Sequence, residues 1–263
     1  MLGAGWTEVV AFAAAIVISA ISTPGGVSGA VLLLPFQVSV LGTPSPSVTP
    51  TNLLYNVLAT PGALYRYWRQ GQTGGRLAAV LIAGTLPGVI GGSLIRVELL
   101  PGPRVFDLVV ACVLLPLGCW LAVTQPGQGQ DRSRSARLSS PALVLIALVV
   151  GCVGGIYGIG GGSILAPILI GAGWRPAQVA PAAMASTLVT SVAGVVTFTI
   201  LSAQAHSPVA PNWPTGVALG AGGLLGSYIG ARLQSRLPDL LIRRLLGVLE
   251  MAIAIRFLLA GLL

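Results

Sequence analysis

The sequence predicts an all-α, polytopic helical membrane protein made of two tandem repeats of inverted topology with short broken helices. Three observations carry this reading. The chain has 263 residues, 54% of them apolar and only 8% charged, whereas a soluble domain carries about 25% charged residues. Its apolar runs are continuous, not the alternating ten-residue segments of a membrane β-barrel. Two glycine-rich interruptions, Pro24-Gly25-Gly26-Val27-Ser28-Gly29 and Gly158-Ile159-Gly160-Gly161-Gly162-Ser163, fall at matching places in the two halves. Collagen is excluded because the 36 glycines have no three-residue period, and disorder because the apolar content is far too high. Too little chain remains outside a bilayer to form a soluble domain.

Crossing ~30 Å of hydrocarbon at 1.5 Å per residue takes ~20 residues. Residues 1–124, the first repeat, hold apolar segments at 6–23, 27–42, 46–66, 77–97 and 104–124. The N-terminus lacks a basic flank and carries Glu8 ahead of most of its apolar run, so residues 6–22 read as a retained helix and not as a cleaved signal. Residues 125–140, with Asp131, Arg132, Arg134 and Arg137, are the linker. Residues 141–263, the second repeat, hold segments at 141–157, 161–173, 177–202, 213–231 and 239–262. In each half the second segment follows the glycine-rich break and is too short to span comfortably.

A displacement of 132 (158 − 26) carries Gly26, Gly29, Pro35 and Gly62 onto Gly158, Gly161, Pro167 and Gly194. A displacement of 135 (223 − 88) carries Gly88 and Gly91 onto Gly223 and Gly226, the extra three residues fitting loop 203–212. An ordered series with one change of offset is the mark of a tandem duplication.

All 14 cations are Arg, against six acids, for a formal charge of +8. They cluster between apolar segments: Arg66, Arg69 and Arg76; the three in the linker; Arg232, Arg236, Arg243 and Arg244. With these loops and the linker cytoplasmic and both termini outside, the repeats are inverted, and Arg96 and Arg104, placed in an outer loop, are the main exception. No basic run is interleaved with aromatics, so nucleic acid is not an expected partner. Cys112, Cys119 and Cys152 lie in apolar runs without metal-ligand spacing, and no metal or other cofactor is expected.

A helix broken in lipid exposes amides at its new N-terminus, and these must be satisfied by protein, water or ligand. With the positive end of the helix they suit an anion without any charged side chain. The competing reading is that the glycines serve close helix packing. Gly25, Gly26, Ser28, Gly29, Gly160, Gly161, Gly162 and Ser163 are therefore substrate-binding candidates. Thr51, Asn52, Asn56, Ser186 and Thr187, polar residues of the segments that follow, join them; the rival role for each is an interhelical hydrogen bond. Gly160-Gly161-Gly162 lacks the strand and the acid of a nucleotide loop, and no Walker motif is present. Gly26-Val27-Ser28-Gly29 spells a rhomboid-type nucleophile motif, but a nucleophile needs a base and the sole His, His206, lies in a polar loop. No enzyme is expected. Glu250, central in the last segment, is either a coupling acid or one partner of a structural ion pair, and the break in symmetry at that position favours the pair.

The glycine-break-then-proline elements, Gly29 to Pro35 and Gly160 to Pro167, together with the Ala/Thr-rich stretch from Pro181 to Gly194, resemble the signature of the TauE/SafE permeases. The resemblance covers nearly the whole chain. It implies a multi-pass transporter of the bacterial inner membrane, with a small sulfur-containing anion such as sulfite, sulfoacetate or another organosulfonate as substrate. It also implies that some of the ten segments are re-entrant. The first repeat departs from the fuller glycine pattern, with Ser28, Ala30 and Val31 where the second has Gly160, Gly162 and Ser163. A secondary transporter is the leading expectation; an anion channel, an intramembrane enzyme and a structural subunit are the alternatives. The partners expected are the anion and the lipid bilayer, with homo-oligomerisation left open.

The charge pattern makes one direct prediction. Cysteines placed in the loops at Arg69, Arg134 and Arg236 are expected to label from the cytoplasmic side, and those in loop 203–212 from outside. Cytoplasmic-only labelling of loop 203–212 refutes the inverted arrangement.

Overall fold

The computed structural model describes residues 4–44, 47–99, 140–204 and 209–262, with 108, 111–112, 115–116 and 118–119 between them. Among the described residues there is no strand. The helices are α1 (Ala4–Ser22), α2 (Ala30–Ser39), α3 (Val48–Arg69), α4 (Gly75–Glu98), α5 (Ser140–Tyr157), α6 (Gly161–Gly171), α7 (Pro176–Gln204), α8 (Trp213–Gln234) and α9 (Asp239–Leu262), with a 3-10 turn at Thr23–Gly25. The described positions from 108 to 119 are helical too. Of the predicted linker only Ser140 is described, and it opens α5. The helices match the apolar segments read from the sequence. By length and composition Gly5–Gly25, Gly75–Glu98 and Pro176–Ala203 suffice to cross a membrane.

Helices α2 and α6 have 10 and 11 residues, so they rise about 15 to 17 Å, half the hydrocarbon thickness. Each begins at a glycine break. Gly26 (φ 77°) and Gly158 (φ 80°) take the left-handed conformation that a side chain disfavours, and the chain turns back there. Gly160 adds a third such residue (φ 72°), a conformation that Ser28 in the other break does not share. Pro35 inside α2 has no N–H for the carbonyl of Val31, four residues earlier. The Tyr157 hydroxyl, at the end of α5, donates to that carbonyl at 3.0 Å.

Glycine ladders hold the bundle. A Cβ on Gly84, Gly88 or Gly92 of α4 would meet the carbonyl oxygens of Val144, Leu148 and Cys152 of α5 in turn. On Gly222, Gly226 and Gly230 of α8 it would meet those of Phe12, Ile16 and Ala20 of α1. Both pairs therefore run parallel with backbones in contact, the packing that small residues permit in lipid. The ladders correspond at displacements of 132 (144 − 12) and 138 (222 − 84), three residues beyond the 135 expected for the later helices. A helix with many glycines offers several plausible matches, and only packing tells which glycines face a neighbour.

Helix α8 also runs parallel to α3, with Gly216 on Leu54 and Gly220 on Leu58, and the Ser227 hydroxyl donates to the Ala59 carbonyl at 2.6 Å. Helix α4 runs parallel to α7, with Gly74 on Ala182 and Gly194 against Val89. Helices α3 and α7 cross in opposite senses: Leu53 meets Gly194, while Ala63 and Tyr67 share a cluster with Ala180 and Met184. Helices α1, α3 and α8 thus point one way, and α4, α5 and α7 the other.

The ladders predict opposite outcomes for one mutation at two glycines. Gly226→Ala sets a methyl against the Ile16 carbonyl, an overpacking that costs about 1–3 kcal/mol. Gly91→Ala meets nothing within 4 Å and gains up to about 1 kcal/mol of helix propensity. Thermal unfolding of the purified protein should show a lower Tm for the first and an equal or higher Tm for the second.

Candidate functional site

The two breaks meet inside the bundle. The Ser28 N–H donates to Ser163 Oγ at 3.3 Å, and the two serine oxygens lie 3.0 Å apart. Ser163 Oγ also lies 3.0 Å from the Ile159 carbonyl; with a single proton it donates to one acceptor at a time. Both serines are buried. Helix α2 starts from Gly29 and α6 from Gly160, and these cap residues, being glycines, bring no capping side chain of their own. Two helix N-termini, each with its positive end, are thereby tied together through the serine pair.

Helix α7 supplies hydroxyls to the second break. Thr190 accepts from the Gly161 N–H at 3.3 Å, and Thr187 Oγ1 lies 3.4 Å from Ser163 Oγ. Ser186 Oγ lies 2.8 Å from Thr85 Oγ1 of α4. Ser191 Oγ is buried without a hydrogen-bond partner and stands 3.0 Å from where a Cβ on Gly160 would lie. The glycines themselves serve packing: a Cβ on Gly161 would strike the Thr85 side chain at 2.5 Å, and one on Gly162 the Ala183 carbonyl.

Two asparagines one helical turn apart, on one face of α3, have different fates. Asn52 donates to the Ala30 carbonyl at 2.9 Å and accepts from Gln37 at 2.9 Å, so it secures the first turn of α2. Asn56 is equally buried, yet neither its oxygen nor its nitrogen has a partner. A buried amide left unsatisfied costs about 1–3 kcal/mol. Thr51 is drawn away from the breaks: it accepts from the Asn212 N–H at 2.8 Å and donates to the Ser47 carbonyl at 2.7 Å. Gly25 closes the buried 3-10 turn, and Gly26 packs on Ala180 of α7. The side chain of Glu250 lies outside the described residues.

Sequence reasoning set Arg96 in an outer loop, but it is in the last turn of α4 and fully buried. Its Nε donates to Thr49 Oγ1 at 3.4 Å, which in turn donates to the Ile156 carbonyl at 3.4 Å, just before the second break. At the first break Gln234 Nε2, in the last turn of α8, donates to the Pro24 carbonyl at 2.6 Å. A charge at a membrane-helix centre costs roughly 2.5–3.5 kcal/mol on insertion scales. The guanidinium at position 96 escaped notice because the apolar run ends beside it.

The family model described as "Sulfite exporter TauE/SafE" matches residues 11–257. A "Probable membrane transporter protein" of Xylella fastidiosa strain Temecula1 is 28% identical over 246 residues, covering 88% of this chain and 87% of that protein. A protein of Sinorhizobium fredii, also described as a probable membrane transporter, is 26% identical over 197 residues, 72% of this chain and 74% of its own. No solved structure matches.

The asparagines predict a contrast in stability. Asn52→Leu breaks two buried hydrogen bonds and strands their partners, for a loss of about 2–3 kcal/mol. Asn56→Leu removes an unsatisfied amide at similar volume and should leave stability equal or raise it by about 1 kcal/mol. Denaturation of the purified variants side by side checks both signs.

Proposed function

The chain belongs to the sulfite exporter TauE/SafE family of membrane transporters, and on that premise we propose that it is a secondary transporter of a small sulfur-containing oxyanion or organosulfonate, of the sulfite or sulfoacetate kind, in the bacterial inner membrane. The observation that carries the reading is the meeting of two helix N-termini at Ser28 and Ser163, with the unpartnered amide of Asn56 one helical turn from Asn52, which holds the first turn of α2.

An oxyanion leaving water needs donors to replace its hydration shell. Helix N-termini offer backbone N–H groups and a favourable field, and Asn56 Nδ2 and the hydroxyls of Ser191 and Thr187 add neutral donors. Neutral donors bind without holding the anion so tightly that it cannot leave, as a carrier requires. The serine pair bonds to itself and to a carbonyl, a geometry that orients donors and does not withdraw a proton, so we read a carrier and not an enzyme. Movement follows from the architecture we propose, two inverted repeats rocking about the shared site. The opposed directions of α1, α3 and α8 against α4, α5 and α7 support that architecture, as do the two matching glycine ladders.

Proteoliposomes loaded with unlabelled sulfite should accumulate labelled sulfite by counterflow, which a channel does not produce. Asn56→Leu, reconstituted at equal folded amount, should lower that uptake at least tenfold. Wild-type uptake without counterflow refutes the carrier; full uptake by the Asn56 variant refutes the site.

A further inference from the structure

We propose that the ends of α3 and α8 form a binding site for the headgroup of an anionic phospholipid, built on the stacked rings of Tyr65 and Tyr228. The two helices run parallel in a steady register, with Gly216 on Leu54 and Gly220 on Leu58 (216 − 54 = 162). Tyr65 and Tyr228 continue it to within one residue (228 − 65 = 163), and their rings stack with centroids 6.4 Å apart at 26°. One turn after each tyrosine, on the same face of its helix, stands an arginine, Arg69 on α3 and Arg232 on α8. The Arg69 guanidinium lies 6.0 Å from the Tyr65 ring centroid, and that of Arg66 lies 6.0 Å from the Tyr228 centroid. Trp68 flanks the pair, 6.2 Å from Tyr65. The patch shares no residue with the glycine breaks.

An aromatic face orients a guanidinium without neutralising it. Among the described residues none of the three arginines has an ion pair, and Arg66 Nε is buried without a hydrogen-bond partner. The described carboxylate side chains, Glu8 and Glu98, stand elsewhere. Glu98 closes α4, which runs the opposite way. Glu8 is level with position 218 by the α1–α8 register (8 + 222 − 12 = 218). That is fourteen residues before Arg232 (232 − 218 = 14), about 21 Å along the axis. Neighbouring like charges repel, and an anion between them replaces repulsion by attraction.

The surroundings make that anion a lipid. Tyr65 and Trp68 are 53% and 67% exposed at the end of an apolar bundle, where such amphipathic rings mark headgroup depth. Guanidinium forks fit the oxygens of a phosphodiester. Towards the middle of the bilayer the same face of α8 continues through Leu225 and Val217, both about half exposed, as a track for an acyl chain. A free anion leaves that track bare; a phospholipid covers rings, charges and track together.

The test is native mass spectrometry of the full-length protein in detergent with equal amounts of phosphatidylglycerol and phosphatidylcholine of identical chains. Wild type should retain at least about fivefold more phosphatidylglycerol. Arg69→Gln combined with Arg232→Gln, both at exposed positions, should bring the ratio near one. Arg76→Gln combined with Arg175→Gln removes the same charge from other exposed positions and should leave the ratio at its wild-type value. Equal retention of the two lipids by wild type overturns the proposal, as does a ratio unchanged in the first pair. A ratio that falls as far in the second pair as in the first shows general surface charge and also overturns it. If the first pair fails to fold, Tyr228→Leu, which keeps every arginine, decides: the ratio should fall at least twofold, and an unchanged ratio overturns the site. Excess inorganic phosphate should leave the bound lipid in place; displacement of phosphatidylglycerol would reveal a free-anion site and overturn the lipid.

Discussion

A backbone amide or carbonyl released from a helix inside hydrocarbon has no water to turn to, and each one left bare costs several kcal/mol. Two half-length helices in the middle of a bundle multiply that cost, and much of the remaining structure answers it. The Val31 carbonyl freed by Pro35 takes the Tyr157 hydroxyl. The Gly161 amide takes Thr190, and the Pro24 carbonyl takes Gln234. Each donor or acceptor comes from an element distant in sequence, so the breaks are stable only as part of the assembled bundle. Among the described residues the amide of Asn56 and the hydroxyls of Thr23, Ser93 and Ser191 are among the buried groups left unanswered.

Helices surrounded by lipid gain little from burying apolar surface against one another, so close contact must come from shape. The glycine ladders supply it by letting the carbonyls of α1 and α5 approach the backbones of α8 and α4. Ladder contacts cross between the two halves of the chain. The α1–α8 and α4–α5 pairs are each held backbone to backbone, with the Pro24 carbonyl taken by Gln234 at one break and the Ile156 carbonyl by Thr49 at the other.

The sequence was most informative where lipid is the judge. Continuous apolar runs placed α1 to α9 close to their observed limits, because hydrocarbon thickness fixes how long such runs must be. Glycine clusters placed the two breaks, because few other residues adopt the turn at Gly26 and Gly158. Which face of a helix meets which neighbour was not legible. Leucine toward lipid and leucine toward protein look alike, so the offset of 138 between the ladders and the clasp by Gln234 emerged only from packing. The site was half legible for the same reason. Polar residues after the breaks stood out, but nothing in their spacing separated Asn52, spent on Ala30, from Asn56, or revealed that Thr51 faces Asn212. Arg96 was misplaced because a charge beside the end of an apolar run reads as a boundary.

The bond from Tyr157 to Val31 bears on how the chain is made. Ribosomes deliver the first half before the second exists, and the Val31 carbonyl must wait 126 residues for its donor. Helix α1 waits longer for α8, since Phe12 and Gly222 are 210 positions apart (222 − 12). The early helices therefore emerge beside lipid or the insertion machinery with polar groups still open, and the chain cannot mature one hairpin at a time. A nascent chain stopped after α4 would be a substrate for quality control and not half of a working protein.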